Sequence, residues 1–207
     1  MKTKYLIFDF DGVLARSLDD CIKYNLRFGL YPNKTFDEIK QIVQNKYLEP
    51  KHSKKNNPTE LEVQKIIEFN QGLGRKIITC QNTIFTDFID QIKLISNAKL
   101  AIVSSGSSIY ISHLLKQIPL SFDYILTIED SPFKDDKIGI VAKSWGIELD
   151  QCYYFTDTCS DVLELKDTIT DDKIIGCVWG WSGIESLSKI LPADNILNNF
   201  NDIHKLF

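Results

Sequence analysis

The chain has 207 residues, 25% charged and 43% hydrophobic, which is an ordinary composition for a globular protein with one core and a modest second lobe. Its 24 basic and 28 acidic residues give a formal net charge of −4, so composition offers no argument for a nucleic-acid partner. The five cysteines include no CxxC pair and have mostly apolar neighbours, which favours reduced thiols over a zinc site. No signal peptide or apolar stretch of the roughly 18 to 20 residues needed for a membrane span is evident. We therefore expect a soluble, cytoplasmic monomer.

A short apolar run near the start of the chain ends in two carboxylates. Residues 5–8 have the pattern of a buried strand, and Asp9, Asp11 and Gly12 follow them. Because residues two apart in an extended segment point to the same side, both carboxylates would face one cleft. Placing acids at the mouth of a buried strand costs stability unless a cation or a reaction uses them. The alternative is an ordinary solvated turn, and this stretch alone does not decide between the two.

The next stretch, residues 18–97, has helical periodicity and contains no convincing strand. We interpret it as a small all-helical lobe of four helices. The third helix is expected to stop at Gly72 and Gly74, because glycine disfavours a helix interior. The predicted helices begin near Leu18, Thr35, Pro58 and Thr83.

A polar segment, residues 49–57, separates the second and third of these helices and is predicted to be an exposed loop. Its lysines have two interpretations. They form a solvated basic turn, as lysines usually do, or they attract an anionic substrate or an acidic protein surface. The lysines concerned are Lys51, Lys54 and Lys55.

From residue 99 onward, short apolar runs alternate with helical patterns, which predicts a parallel sheet covered by helices on both faces. The fold class is therefore α/β, with a doubly wound parallel sheet whose first, central strand is residues 5–8. The further strands are predicted at 100–103, 124–128, 152–155 and 174–178, and the intervening helices at 109–118, 135–146 and 161–168.

Polar residues follow each predicted strand, where open parallel sheets bind their ligands. Ser104 and Ser105 open a helix, and such hydroxyl and amide groups either cradle a phosphate or simply cap the helix. Lys134 follows the third strand, with Lys137 as a competing candidate. An acidic loop follows the fourth strand, and its acids either cap a helix or meet the first two carboxylates at the same sheet edge. The acids of that loop are Asp157 and Asp161.

Together these motifs resemble the haloacid dehalogenase-like hydrolase superfamily. The family order is DxD after the first strand, Ser or Thr after the second, Lys before a helix, and then an acidic DxxxD loop. The chain matches that order at Asp9/Asp11, Ser104, Lys134 and Asp157/Asp161. Its tail resembles phosphoglycolate-phosphatase-like members, and its helical insertion resembles the family's C1 cap. The resemblance implies a Rossmann-like catalytic core made of residues 1–17 and 98–207, with a cap at 18–97.

The resemblance also implies a role for each motif residue. Asp9 would be the nucleophile that forms an aspartyl-phosphate, and Asp11 would be the general acid and base. Mg²⁺ would be held by the Asp9 side chain, the Asp11 backbone carbonyl and the Asp157 side chain. Asp161 would hold nearby waters or the lysine. The groups expected to bind the phosphoryl oxygens are Ser104, Ser105 and Lys134.

We therefore expect a Mg²⁺-dependent phosphatase acting on a small phosphorylated metabolite. A phosphotyrosine phosphatase and a phosphomutase are alternatives on the same fold, and a binding protein without turnover is an alternative of another class. Thr156 replaces a glycine usual in the family, and Arg16 stands where an acid is common. Most of the aromatic residues expected near the cleft should be packing residues, although some could hold an aryl leaving group. These aromatic residues are Tyr24, Phe28, Tyr31, Trp179 and Trp181.

Overall fold

The computed structural model describes residues 2–27, 29, 31–49, 58–79 and 83–207. Lys51, Lys54, Lys55 and Phe28, which the sequence singled out, lie outside these ranges. Among the helices that are described, none combines the length and the apolar composition that crossing a membrane requires.

A six-stranded parallel sheet forms the centre of the molecule, with the strand order β3-β2-β1-β4-β5-β6. This confirms the predicted α/β class with a parallel sheet, in which the first strand is central. The sequence had not delimited the short sixth strand at the edge. The strands are β1 (Lys4–Phe8), β2 (Ala98–Val103), β3 (Tyr124–Leu126), β4 (Cys152–Thr156), β5 (Ile174–Cys177) and β6 (Ile196–Leu197).

Apolar clusters cover both faces of the sheet. Because side chains alternate along a strand, one strand can contribute to both clusters. In β1, Leu6 and Phe8 point into one apolar cluster, whereas Ile7 points into the cluster on the opposite face. All three side chains are fully buried. The central strand is thus held from both sides, and the residue that follows it, Asp9, is fixed at the carboxyl end of the sheet.

The described ranges contain eight α-helices. Four of them lie between β1 and β2 in the chain, and four lie between the later strands. α6 ends at Gly146, whose positive φ of 69° is the left-handed conformation that glycine adopts readily. A 3₁₀ segment at Phe200–Leu206 closes the chain. The helices are α1 (Ser17–Arg27), α2 (Phe36–Asn45), α3 (Glu60–Ile77), α4 (Thr86–Lys93), α5 (Ser108–Leu115), α6 (Lys134–Trp145), α7 (Cys159–Leu165) and α8 (Gly183–Leu187).

The prediction that the third helix stops at two glycines is wrong, since α3 runs through both Gly72 and Gly74 to Ile77. The reason is tertiary packing against α5. A Cβ atom at position 74 would lie 2.0 Å from the Oγ of Ser107, so only glycine allows the two helices to approach this closely. The helix begins at a capping box, in which Thr59 and Glu62 satisfy each other's backbone amides.

The helix α4 lies within the range predicted as the cap, yet it packs with the sheet. Phe88, Ile89 and Ile92 are buried in the same apolar cluster as Leu6 and Phe8. The division of the chain into core and cap remains a prediction, and this packing favours a cap whose C-terminal boundary precedes α4. The helices α1, α2 and α3 remain as the cap elements.

Candidate active site

Polar residues from four loops meet in one cavity at the carboxyl edge of the sheet. The strand register places them at one level, because Phe8 pairs with Ile102 on one side and with Phe155 on the other. The cavity has a volume of about 120 Å³. Of the residues predicted for the site, it is lined by Asp9, Asp11, Ser104, Ser105, Lys134 and Asp161.

A buried ion network joins the first, third and fourth loops. Lys134 Nζ donates hydrogen bonds to Asp9 Oδ2 at 2.7 Å and to Asp161 Oδ2 at 2.5 Å. The other oxygen of Asp9 accepts a hydrogen bond from the amide of Phe10 at 2.7 Å. The three charged side chains are nearly inaccessible to solvent. One ammonium group therefore orients two carboxylates from distant parts of the sequence.

The pKa values of this network reflect burial and opposite charge. Burial raises the pKa of Asp9 to about 7, although the charge of Lys134 opposes the shift. Burial would likewise raise the pKa of Asp161, but the charge of Lys134 and the hydrogen bonds to Asp161 hold it below its usual value. Burial would lower the pKa of Lys134, yet the charges of Asp161 and Asp9 raise it. The two carboxylates thus favour the protonated form of Lys134.

Asp157 is fully buried beside this network and fits the expected metal ligand. Its Oδ2 accepts a hydrogen bond from the amide of Trp181 at 2.6 Å, whereas its Oδ1 has no hydrogen-bond partner among the described residues. Burial, and then the charge of Asp9, raise its pKa well above the ordinary range. A buried carboxylate oxygen without a partner is costly, and a cation would relieve that cost.

The neighbourhood of Asp157 is too tight for side chains at two adjoining positions. A Cβ atom on Gly12 or Gly180 would overlap the Asp157 carboxylate. Gly12 also has a positive φ of 74°.

No group of three or more His, Cys, Asp or Glu side chains suited to a metal occurs in the described part of the chain. The predicted Mg²⁺ ligands are two carboxylate side chains and one backbone carbonyl. A site of that kind contains fewer than three such side chains, so this absence does not bear on it.

The loop after β2 forms a further side of the cavity. Ser104 is fully buried, and its hydroxyl accepts a hydrogen bond from the amide of Gly106 at 2.9 Å. Ser107, also buried, has a hydroxyl oxygen without a hydrogen-bond partner among the described residues. Hydroxyls and amides at the start of a helix are the groups that bind a phosphoryl oxygen. This arrangement supports the roles predicted for Ser104 and Ser105, which remain predictions.

Asp11 also lines the cavity and is partly buried. Its Oδ1 accepts a hydrogen bond from the hydroxyl of Tyr110 at 3.1 Å. Tyr110 belongs to α5 and is buried, with its ring packed edge-on against Phe10 at 5.9 Å between centroids. The sequence had not indicated Tyr110 as part of the site, because a tyrosine in an amphipathic helix is usually a packing residue.

Two further residues of the site lie in β4. The hydroxyl of Tyr154 accepts a hydrogen bond from Lys134 Nζ at 2.8 Å, and the hydroxyl of Thr156 donates one to Asp161 at 2.7 Å. Thr156, noted in the sequence as a departure from the family, thus holds Asp161 in place. A signal for Tyr154 existed, since residues 154 and 156 share one face of the strand.

Arg16 and most of the aromatic candidates do not line the cavity. The guanidinium carbon of Arg16 lies 5.0 Å from the centre of the Phe85 ring. Trp179 packs against Phe88 and Phe200 instead. Among the described aromatic candidates, Trp181 is the one that reaches the cavity.

The family is shown by sequence. A profile of the haloacid dehalogenase-like hydrolases matches residues 6–167, which is more than half of the chain. The protein therefore belongs to the haloacid dehalogenase-like hydrolase family. No curated protein matches it significantly.

Solved structures of similar fold cover nearly the whole chain. A predicted phosphatase from Clostridium acetobutylicum is 19% identical with a TM-score of 0.67, covering 99% of this chain and 98% of its own. A predicted phosphoglycolate phosphatase from Haemophilus somnus is 15% identical with a TM-score of 0.67, covering 100% and 98%. A haloacid dehalogenase-like hydrolase from Streptococcus pneumoniae is 16% identical with a TM-score of 0.67, covering 98% and 97%. At these identities the likeness establishes the fold alone.

Proposed function

We propose that this hydrolase is a Mg²⁺-dependent phosphatase that cleaves a small phosphorylated metabolite through an aspartyl-phosphate intermediate. The observation that carries the proposal is the position of Asp9. Its carboxylate lies at the end of the central strand, paired with Lys134 at 2.7 Å and facing a cavity that Ser104 and Asp11 also line. A carboxylate held this way can act as a nucleophile towards phosphorus.

In the first half-reaction an oxygen of Asp9 forms a bond to phosphorus while the bond from phosphorus to the ester oxygen breaks. Asp11, in its protonated form, gives its proton to the departing alcohol oxygen. In the second half-reaction Asp11 removes a proton from water, and the water oxygen attacks the phosphorus of the aspartyl-phosphate. The carboxylate of Asp9 is then released together with inorganic phosphate. Tyr110 orients Asp11 through its 3.1 Å hydrogen bond.

The other residues bind and orient the phosphoryl group. Ser104, the backbone amide of Ser105 and Lys134 would bind its oxygens and balance the charge that develops on them. The side chains of Asp9 and Asp157 and the carbonyl of Asp11 would hold Mg²⁺. Bound there, Mg²⁺ would supply the positive charge that lets two carboxylates share a site with a phosphate dianion.

The first experiment is hydrolysis of p-nitrophenyl phosphate with Mg²⁺ and with EDTA. Release of inorganic phosphate that depends on Mg²⁺ is expected, and a protein without turnover would show no difference between the two conditions. A panel of phosphorylated metabolites and phosphopeptides would then test the substrate class. A phosphomutase would instead transfer the phosphoryl group to an acceptor without releasing phosphate at a comparable rate.

A further inference from the structure

The two sides of the cavity differ in charge. The side at the sheet edge carries the ion network, whereas the side facing it is formed by residues of the cap and of the segment after β5. We name this second side the uncharged wall. It comprises Cys21, Tyr47, Leu73, Ile77 and Trp181.

Among the neutral polar residues that line the cavity near the uncharged wall, Ser17 and Asn70 each form a hydrogen bond within the protein. The hydroxyl of Ser17 accepts a hydrogen bond from Trp181 Nε1 at 3.2 Å. The amide nitrogen of Asn70 donates to the carbonyl of Ile66 at 2.8 Å. Neither group carries a charge, so the wall as a whole is apolar with a neutral polar margin.

The aromatic part of the wall is held by hydrogen bonds within the core and between the core and the cap. The amide of Trp181 donates to Asp157 at 2.6 Å, and the carbonyl of Trp181 accepts from Gln44 Nε2 at 2.5 Å. The carbonyl of Tyr47 accepts from the amide of Ser160 at 2.8 Å. The rings of Tyr47 and Trp181 are in contact, with centroids 4.7 Å apart. The wall is therefore already organised without a substrate.

Positive charge in the cavity is confined to the phosphate end. Within the described ranges, Lys134 is the one basic side chain that lines the cavity, and it is paired with Asp9 and Asp161. A second anionic group on the substrate would thus be desolvated against the uncharged wall, with Asp11 and Glu164 as the additional ionisable neighbours. Burying an unpaired carboxylate in such surroundings is strongly unfavourable.

We propose, resting on the phosphatase function above, that the substrate is a phosphomonoester of a small, uncharged and largely apolar alcohol. The uncharged wall would contact the carbon skeleton of that alcohol, while the phosphoryl group lies at the sheet edge. This excludes a carboxylate-bearing alcohol such as glycolate as the preferred leaving group. The cavity volume of about 120 Å³ limits the substrate to a small alcohol.

The test compares three esters of similar length under Mg²⁺: n-propyl phosphate, 2-phosphoglycolate and phosphoethanolamine. They carry an uncharged, an anionic and a cationic leaving group respectively. We expect kcat/KM for n-propyl phosphate to exceed that for 2-phosphoglycolate by about 10- to 100-fold. Equal or faster hydrolysis of 2-phosphoglycolate would overturn the proposal, and so would a preference for phosphoethanolamine.

A charge placed in the wall provides a second test. Leu73→Lys should raise the ratio of kcat/KM for 2-phosphoglycolate over n-propyl phosphate by roughly 10-fold or more, because it supplies the missing cation. Leu73→Met has a similar volume without the charge and should leave the ratio near that of the parent protein. If both variants changed the ratio equally, or neither did, the wall would not be selecting on charge.

Binding of non-hydrolysable phosphonates separates this proposal from the proposed function. With Mg²⁺ present, n-butylphosphonate should raise the melting temperature more than 3-phosphonopropionate does at equal concentration. That order without any Mg²⁺-dependent ester hydrolysis would support the wall's selectivity while contradicting the phosphatase function. Hydrolysis accompanied by the reverse order would leave the phosphatase function standing and overturn the proposal made here.

Discussion

Lys134 and Lys137 lie one turn apart on α6, yet their ammonium groups have different partners. Lys134 Nζ contacts the carboxylates of Asp9 and Asp161, whereas Lys137 Nζ donates to the backbone carbonyls of Ser104 at 2.6 Å, Ser131 at 2.7 Å and Thr127 at 3.2 Å. Both lysines are buried. Lys134 therefore orients two carboxylates beside the cavity, and Lys137 joins the loop after β2 to the loop after β3.

Lys137→Met should destabilise the protein by roughly 3 kcal/mol or more, because three carbonyls lose a buried donor. Urea unfolding of the two proteins would measure the difference. Lys143→Met on the same helix is the matched control, since Lys143 is exposed, and it should change the free energy of unfolding by less than about 0.5 kcal/mol. Equal effects of the two substitutions would show that the Lys137 contacts do not stabilise the fold.

Asp9→Asn should reduce turnover by roughly 10³-fold or more, since an amide oxygen is a poor nucleophile and the covalent step requires a carboxylate. The measurement is kcat with p-nitrophenyl phosphate, with circular dichroism to confirm that the fold persists. Asp90→Asn, which alters a surface ion pair with Lys93, should leave kcat unchanged. Near-parental activity of Asp9→Asn in a preparation free of other phosphatases would refute the aspartyl-phosphate mechanism.

The sheet and the placement of the motif residues were predictable because both follow from local patterns. Apolar runs predicted the strands from β1 to β5, and parallel pairing brings Asp9, Ser104 and Asp161 to one edge whatever the packing details are. The choice between Lys134 and Lys137 was harder, since the two occupy neighbouring turns of the same buried helix. The preference for Lys134 rested on family spacing, and the structure brings its ammonium group to Asp9.

Features that depend on contacts between distant segments were not predictable from the sequence. Gly72 and Gly74 predicted the end of α3, because helix propensity takes no account of α5, the helix against which Gly74 packs. Tyr110 contributes its hydroxyl group to the site, but a tyrosine in a helical pattern predicts only packing. Trp181 was noted as an aromatic residue near the cleft, but the hydrogen bond that its backbone amide donates to Asp157 became visible only in three dimensions.

Removal of Mg²⁺ with EDTA should abolish activity, and readdition should restore it, whereas Ca²⁺ should substitute poorly because it prefers looser coordination. Asp157→Ala should raise the Mg²⁺ concentration needed for half-maximal activity sharply, roughly 10-fold or more, because it removes a carboxylate ligand.

A binding measurement supports this test independently of activity. Mg²⁺ should raise the melting temperature of the parent protein and have a smaller effect on Asp157→Ala, since a ligand stabilises only the state that binds it. Identical Mg²⁺ dependence of both proteins would refute the role assigned to Asp157.

Asp20→Asn should change the pH dependence of stability. Asp20 is buried in α1, one of its oxygens has no hydrogen-bond partner among the described residues, and burial raises its pKa to about 6. Because this pKa lies above the unfolded value of 3.8, its contribution to stability is present below pH 3.8 and is lost as the pH rises through 6.

The free energy of unfolding of Asp20→Asn relative to the parent should therefore increase by about 1 to 3 kcal/mol between pH 4 and pH 7.5. Denaturant unfolding at the two pH values measures it. Asp19→Asn, at an exposed neighbour, should show no comparable change. A relative stability that is constant or falls over this range would contradict the raised pKa.

Gly74→Ala should impair the contact between α3 and α5. The new Cβ would lie 2.0 Å from Ser107 Oγ and 3.3 Å from the Cβ atoms of Ser107 and Tyr110, so the serine hydroxyl must rotate and the helices must separate slightly. Ser107 lines the cavity together with Ser104, and Tyr110 contacts Asp11. We expect a several-fold loss of kcat/KM, measured with p-nitrophenyl phosphate.

Gly72→Ala is the matched control in the same helix, because its Cβ would have no neighbour within 4 Å among the described residues, apart from the adjoining residues and the backbone of its own helix. Alanine favours the helix over glycine by about 0.5 to 1 kcal/mol, so Gly72→Ala should raise the melting temperature and leave kcat/KM unchanged. Gly74→Ala brings the same gain in helix propensity, but the clash with Ser107 opposes this gain in stability. If the two variants had the same stability and the same activity, the close contact between α3 and α5 would affect neither property, and the prediction would be wrong.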